Sequence, residues 1–186
     1  MADELELRLL AATDGLTGSM KRRQFLDVVK ADVARARRYR SPLSCLLIGI
    51  DHFKSINDKG GHAAGERVLQ HFVSVYRSTL RASDYIGRTG PEEFVVMLPE
   101  TPLLNAFRVA ERILENVAAS TIDASQHQLT ATTSIGVAEY AGQTGSLDQL
   151  LVAAEAALAD ARKGGSNQAV CYLDDMQLVS GGALVN

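Results

Sequence analysis

Arg81-Ala-Ser-Asp84 and Glu92-Glu93 are the residues of this chain whose types and spacing allow chemistry. An arginine fork binds a phosphate or the Hoogsteen edge of guanine through paired N–H donors, and a nearby carboxylate accepts from guanine N–H groups. Arg81 and Asp84 together therefore suit a ligand that carries phosphate and guanine groups. They would serve equally as an ordinary pair at a helix end, where exposed ion pairs contribute only ~0–1 kcal/mol. Glu92 and Glu93 follow Gly90-Pro91 and offer the hard oxygen donors that magnesium takes; the plainer reading is two solvated turn carboxylates. Cys45 and Cys171 lie in apolar runs without CxxC spacing or a nearby histidine pair. They read as buried free thiols suited to a reducing cytoplasm, not as a disulfide framework or a zinc site.

A fold must position these groups, and the composition permits one. The 186 residues are 46% hydrophobic and 22% charged, the balance of one globular domain with a real core. A net charge of only -3 gives no general attraction to nucleic acid or to an anionic membrane, so any phosphate ligand must be held by a local cluster. No apolar stretch approaches the ~20 residues that span a bilayer. The N-terminus alternates acidic and apolar residues and is not a signal peptide. Residues 4–12, with leucines at 5, 7, 9 and 10, read either as the end of a helix continuing from an upstream domain or as a lone surface helix.

Asp14 is placed to cap a turn before Leu16-Thr17-Gly18, and residues 22–40 carry Phe25, Val28, Val29, Val33 and Ala34 at helical spacing. Residues 43–50 form a continuous apolar run, as a buried central strand requires. A short helical piece at 53–59 is broken by Gly60-Gly61, and 64–80 is helical with Val68, Leu69, Phe72, Val73 and Tyr76 on one face. Short β runs at 85–88 and 94–98 flank Thr89-Gly90-Pro91-Glu92-Glu93 as a hairpin. Residues 104–119 read as helix, 129–140 as strand, 147–163 as helix and 168–172 as strand. This order predicts an α/β (α+β) domain in which helices cover a mixed, mainly antiparallel sheet of about five strands. The tail from 173, rich in Gly and Ser near its end, reads as frayed or as the remnant of a longer chain.

Four segments in order resemble the GGDEF (diguanylate cyclase) family: Asp14-Gly-Leu-Thr-Gly18; Ile50-Asp-His-Phe-Lys-Ser-Ile-Asn-Asp58 with Gly61-His62 and Gly65-Glu66; Arg88-Thr-Gly-Pro-Glu-Glu-Phe94; and Ser134-Ile-Gly-Val-Ala138. The resemblance runs from 14 to 172 and implies a nucleotidyl-cyclase-like, palm-type fold with the signature on the hairpin turn. Residues 1–13 would then be a linker or signalling helix and 173–186 a tail. The family condenses two GTP into cyclic di-GMP across a two-fold axis, chemistry that needs divalent metal to neutralise the triphosphate.

Against that pattern the synthetic site looks degenerate. Gly49 stands where the family has a metal-binding Asp, and glycine donates no side-chain oxygen. Pro91 replaces the second glycine of the signature, which reads Gly-Pro-Glu-Glu-Phe; proline lacks an N–H and fills space near a phosphate. Glu92 matches the metal-binding and Glu93 the catalytic acid. Arg162 keeps one of two triphosphate cations, and Ser166 replaces the other. Asn57 and Glu66 match guanine contacts, with Asn57 equally readable as a helix-ending residue. Arg81 and Asp84 match the family's Arg-x-x-Asp product-binding inhibitory site, five residues before the signature. Arg112 aligns with the arginine that completes that site from a neighbouring domain, or pairs with Glu111 or Glu115.

The expectation is a cytoplasmic cyclic di-GMP receptor that needs no cofactor, forms a ligand-bridged homodimer and is fused to an upstream sensory or receiver domain. Neither nucleic acid nor membrane insertion is part of it. The alternative is a weak diguanylate cyclase that uses Mg2+ held by Glu92, Glu93 and the Ile50 carbonyl, with Asp51 as a further carboxylate nearby.

Overall fold

The computed structural model describes residues 12–124, 127–142, 145–173, 177–179 and 183–185; the expected helix of residues 4–12 lies almost wholly outside them. Four helices, α1 (Arg22–Tyr39), α2 (Phe53–Thr79), α3 (Leu103–Ala119) and α4 (Leu147–Lys163), are interleaved with strands β1 (Met20–Lys21), β2 (Leu43–Ile50), β3 (Tyr85–Arg88), β4 (Glu93–Pro99), β7 (Thr133–Glu139) and β8 (Ala169–Cys171). Between α3 and β7 lies a small hairpin of β5 (Ile122–Ala124) and β6 (His127–Leu129), and β9 (Gln177–Val179) and β10 (Ala183–Val185) follow β8. The main sheet runs β1-β3-β4-β2-β7-β8-β9-β10. Only β1 with β3 and β7 with β8 pair parallel, so the mainly antiparallel sheet read from the sequence is correct, its five expected strands forming the centre.

β2 is buried along its whole length because it is flanked by strands on both sides and by helices on both faces. Leu46, Ile48 and Ile50 point to the face covered by α2 and α3, where Phe72, Tyr76, Phe107 and Ile113 pack. Cys45 and Leu47 point to the other face, against Phe25 and Val29 of α1 and Leu150, Ala154 and Leu158 of α4. A strand buried on both faces needs apolar residues at every position, which explains a run without alternation. Burial pushes both thiols, Cys45 and Cys171, up to about 12, so they stay protonated and inert.

The expected break at Gly60-Gly61 is present: Gly61, at φ 76° and ψ 173°, is non-helical and divides α2 into two helical stretches joined at a kink, a conformation glycine adopts at no steric cost. Three expectations are corrected. On α1 the face toward the sheet includes Ala36 and Asp32, while Ala34 is exposed. β7 begins at Thr133 instead of 129, because the preceding residues belong to the β5–β6 hairpin. The tail contains two strands: β9 pairs antiparallel with β8, Val170 opposite Val179, supplying partners for backbone groups that an edge strand leaves open.

Candidate functional site

The C-terminal end of β2, the β3–β4 turn and the residues after α4 meet at one end of the sheet. Gly49 is paired across the ladder with Glu93. Alternation along the strands puts both on the face of Leu47 and Val95, toward α1 and α4. Glu92 precedes β4 and uses its carbonyl to accept the Ile50 N–H at 3.1 Å. Glu93 also lines a cavity of about 150 Å³ with Arg22 and Glu155.

Arg162, in the last turn of α4, lays its guanidinium over Gly49. A Cβ built on Gly49 would lie 2.9 Å from Cζ of Arg162, 3.4 Å from Nε and closer still to Nη2. The space into which a carboxylate at 49 would project is thus filled by a cation. Asp51, the next carboxylate along, is buried and fully engaged. It accepts from Ser134 Oγ at 2.7 Å, from Thr132 Oγ1 at 2.7 Å and from the Asn167 N–H at 3.0 Å. It bolts the end of β2 to the start of β7 and to the loop after α4, where Ser166 and Asn167 are both left-handed. Among the described residues no group of three or more His, Cys, Asp or Glu is placed to hold a metal ion; magnesium ordinarily takes one or two carboxylates beside phosphate oxygens and water.

The turn itself is held by Arg88, which the sequence reading did not single out although it begins the signature segment. Its Nη2 donates to the Pro91 carbonyl at 2.7 Å and its Nε to that of Gly90 at 3.2 Å. Its Nη1 reaches Asp14 Oδ1 at 3.1 Å and Oδ2 at 3.2 Å. Pro91 leaves no donor unpaired here, since this turn uses its carbonyl. Asp14 caps its own turn as expected, with Oδ1 accepting from the Thr17 N–H and hydroxyl. Burial opposes ionisation of Asp14, but the Thr17 and Arg88 hydrogen bonds outweigh it and hold the carboxyl below its ordinary value.

The expected base contacts are brought together across the α2 kink. Asn57 lies against Gly65, where an added Cβ would stand 2.9 Å from Asn57 Cγ, and Glu66 is the next residue, exposed. Asn57 Oδ1 is buried with no partner among the described residues.

Arg81 and Asp84 lie where α2 ends and β3 begins, and Arg112 of α3 reaches the end of the same helix. Asp84 Oδ2 accepts the Arg81 N–H at 2.7 Å and the Asp84 N–H donates to the Arg81 carbonyl at 3.1 Å. This closed turn leaves the Arg81 side chain exposed. Arg112 of α3 donates from Nη2 to the Thr79 carbonyl at 2.7 Å, and Asn116 Nδ2 donates to Thr79 Oγ1 at 2.9 Å. Arg112 is thus carried to the end of α2, two residues before Arg81, within the same chain.

Residues 11–168 match the family model described as diguanylate cyclase, GGDEF domain. The response regulator PleD of Caulobacter vibrioides is 42% identical over 163 residues, covering 87% of this chain and 36% of that protein. The probable diguanylate cyclase DgcC of Escherichia coli is 34% identical over 162 residues, covering 87% and 43%. The chain spans less than half the length of these curated relatives. Among solved structures, diguanylate cyclase SiaD of Pseudomonas aeruginosa, in complex with its activator SiaC, superposes with a TM-score of 0.84 at 33% identity, covering 91% of this chain and 65% of that one. The GGDEF domain of DgcB from Caulobacter crescentus, in complex with c-di-GMP, gives 0.83 at 28% identity, covering 87% and 93%.

Proposed function

The chain belongs to the diguanylate cyclase GGDEF domain family, and from that premise we propose that it is a cyclic di-GMP receptor whose synthetic site has decayed. The observation that supports this reading is the Arg112 to Thr79 hydrogen bond of 2.7 Å, which anchors a second guanidinium at the end of the helix that Arg81 and Asp84 follow. Two forks and a carboxylate on one surface match the phosphates and guanine edges of a cyclic dinucleotide. The DgcB domain, of the same fold, was solved with this dinucleotide bound.

Loss of synthesis follows from the other end of the sheet. A carboxylate ligand is absent at Gly49, a guanidinium lies over it, and Asp51 has its oxygens engaged by Ser134, Thr132 and Asn167. In the cell the domain would serve as a cytoplasmic module reporting second-messenger level to a fused upstream domain, and the ligand would bridge two copies.

Calorimetry with cyclic di-GMP tests the reading. Binding is expected to weaken by about tenfold or more in Arg81→Ala and in Arg112→Ala, the loss of one charge-assisted contact each. No heat at high micromolar ligand, or unchanged affinity in Arg81→Ala, removes it. Incubation with GTP and magnesium should give no cyclic di-GMP; product abolished by Glu93→Gln would establish the weak cyclase instead.

A further inference from the structure

We propose that the outward face of α1 is a docking surface for an anionic lipid bilayer, against which the domain lies peripherally, without inserting. This face is distinct from the Arg81 and Arg112 surface at the end of α2 and needs no nucleotide.

Charge in this chain is segregated, and the small net value hides it. Residues 21–40 contain eight Lys or Arg and two Asp, a net +6 in a chain whose total is -3. Of the two carboxylates, Asp32 is buried and Asp27 is paired with Lys30 at 2.8 Å. Helix geometry orders the cations. Phe25, Val29, Asp32 and Ala36 face the sheet, and at 3.6 residues per turn Arg23, Lys30 and Arg37 line up on the opposite side, exposed together with Ala31, Ala34 and Arg38. From Arg23 to Arg37 this stripe is about 21 Å long. The needs of the helix do not account for it. Cations in the last turn complement the macrodipole, but Arg22 and Arg23 open the helix, where its positive end repels them and no acidic residue in the first turn offsets it.

Tyr39, at the far end of the stripe, is 67% exposed, with the Arg38 guanidinium 5.5 Å from its ring centroid. A polybasic helix face suits anionic headgroups, and a tyrosine beside it sits at headgroup level with its ring toward the acyl boundary. Nucleic acid fits less well. A single strand calls for a groove with successive aromatics, and a duplex is read by an element that enters its groove. A convex helix with the short side chains of Ala31 and Ala34 at its crest instead meets a plane along its whole length. Repulsion from the acidic remainder of the chain is limited, because charges more than ~8 Å from the surface are screened at physiological salt.

Co-sedimentation of the whole chain, without nucleotide, tests this with vesicles of phosphatidylglycerol and phosphatidylcholine in equal parts, with vesicles of phosphatidylcholine alone and with duplex DNA. Binding is expected to the anionic vesicles only and is lost in molar salt. Arg23→Ala should weaken it by about fivefold, and Arg37→Ala with Arg38→Ala by about tenfold or more. Arg108→Ala, on the exposed side of α3, should leave it unchanged. Because the chain has no tryptophan, Tyr39→Trp supplies a single emission reporter, which should shift to the blue on anionic vesicles. Circular dichroism confirms that each variant is folded. No binding to anionic vesicles, equal binding to phosphatidylcholine alone, undiminished binding by both arginine variants, an unshifted Tyr39→Trp emission, or binding to DNA in place of vesicles overturns the proposal.

Discussion

At the scale of single residues, Arg88 ties three pieces of backbone through one guanidinium: its own strand, the Gly90 and Pro91 carbonyls, and Asp14. Replacing it with methionine removes charge-assisted bonds at a site where both side chains are largely buried. The expected loss is about 1–3 kcal/mol at neutral pH, read from urea denaturation. Because the Asp14 carboxyl titrates below its ordinary value in the folded chain, its contribution is present above the unfolded pKa and disappears as pH falls through the folded one. Arg88→Met should therefore differ less from the unmodified protein at pH 3 than at pH 7. His71 has the same sign for a different cause. Burial pushes its pKa down, and Nε2 is buried without a partner among the described residues. The folded chain prefers the neutral imidazole, and that preference stabilises above the ordinary histidine value and is lost as pH falls below it. His71→Leu should flatten the melting temperature between pH 7 and pH 5; an unchanged slope would show that His71 is not its source.

At the scale of elements, the closest contact is β7 against α4. A Cβ on Gly136 would lie 3.0 Å from the Leu158 Cα and closer still to the Ala154 carbonyl and the Leu158 N–H. Backbone cannot yield as a side-chain tip can, so Gly136→Ala must push α4 away from the sheet. The expected cost is about 1–3 kcal/mol, seen as a lower melting temperature. The long helices and the central strand were legible because each follows one hydrophobic period or one unbroken apolar run. Residues 122–124 and 127–129 were not, because three-residue strands are too short to show alternation. The break at Gly60-Gly61 was legible because glycine is the residue that takes the positive φ found at Gly61.

At the scale of the whole molecule, Arg81 and Arg112 occupy one exposed edge formed by the end of α2 and the face of α3. A dinucleotide seated there presents its second face outward. Sedimentation velocity should therefore show cyclic di-GMP shifting the chain toward a dimer, and the shift should be absent in Arg112→Ala. What the sequence by itself determined was the order of elements, the family pattern and the absence of a side chain at Gly49, since periodicity and side-chain identity are local properties. Which groups meet was decided by the tertiary structure. Strand register put Glu93 and not Glu92 across from Gly49, the packing of α4 brought Arg162 over that glycine, and the packing of α3 on α2 brought Arg112 to the Thr79 carbonyl at the end of α2. Residues far apart along the chain become neighbours only when sheets and helices close on one another, and no local spacing encodes that distance.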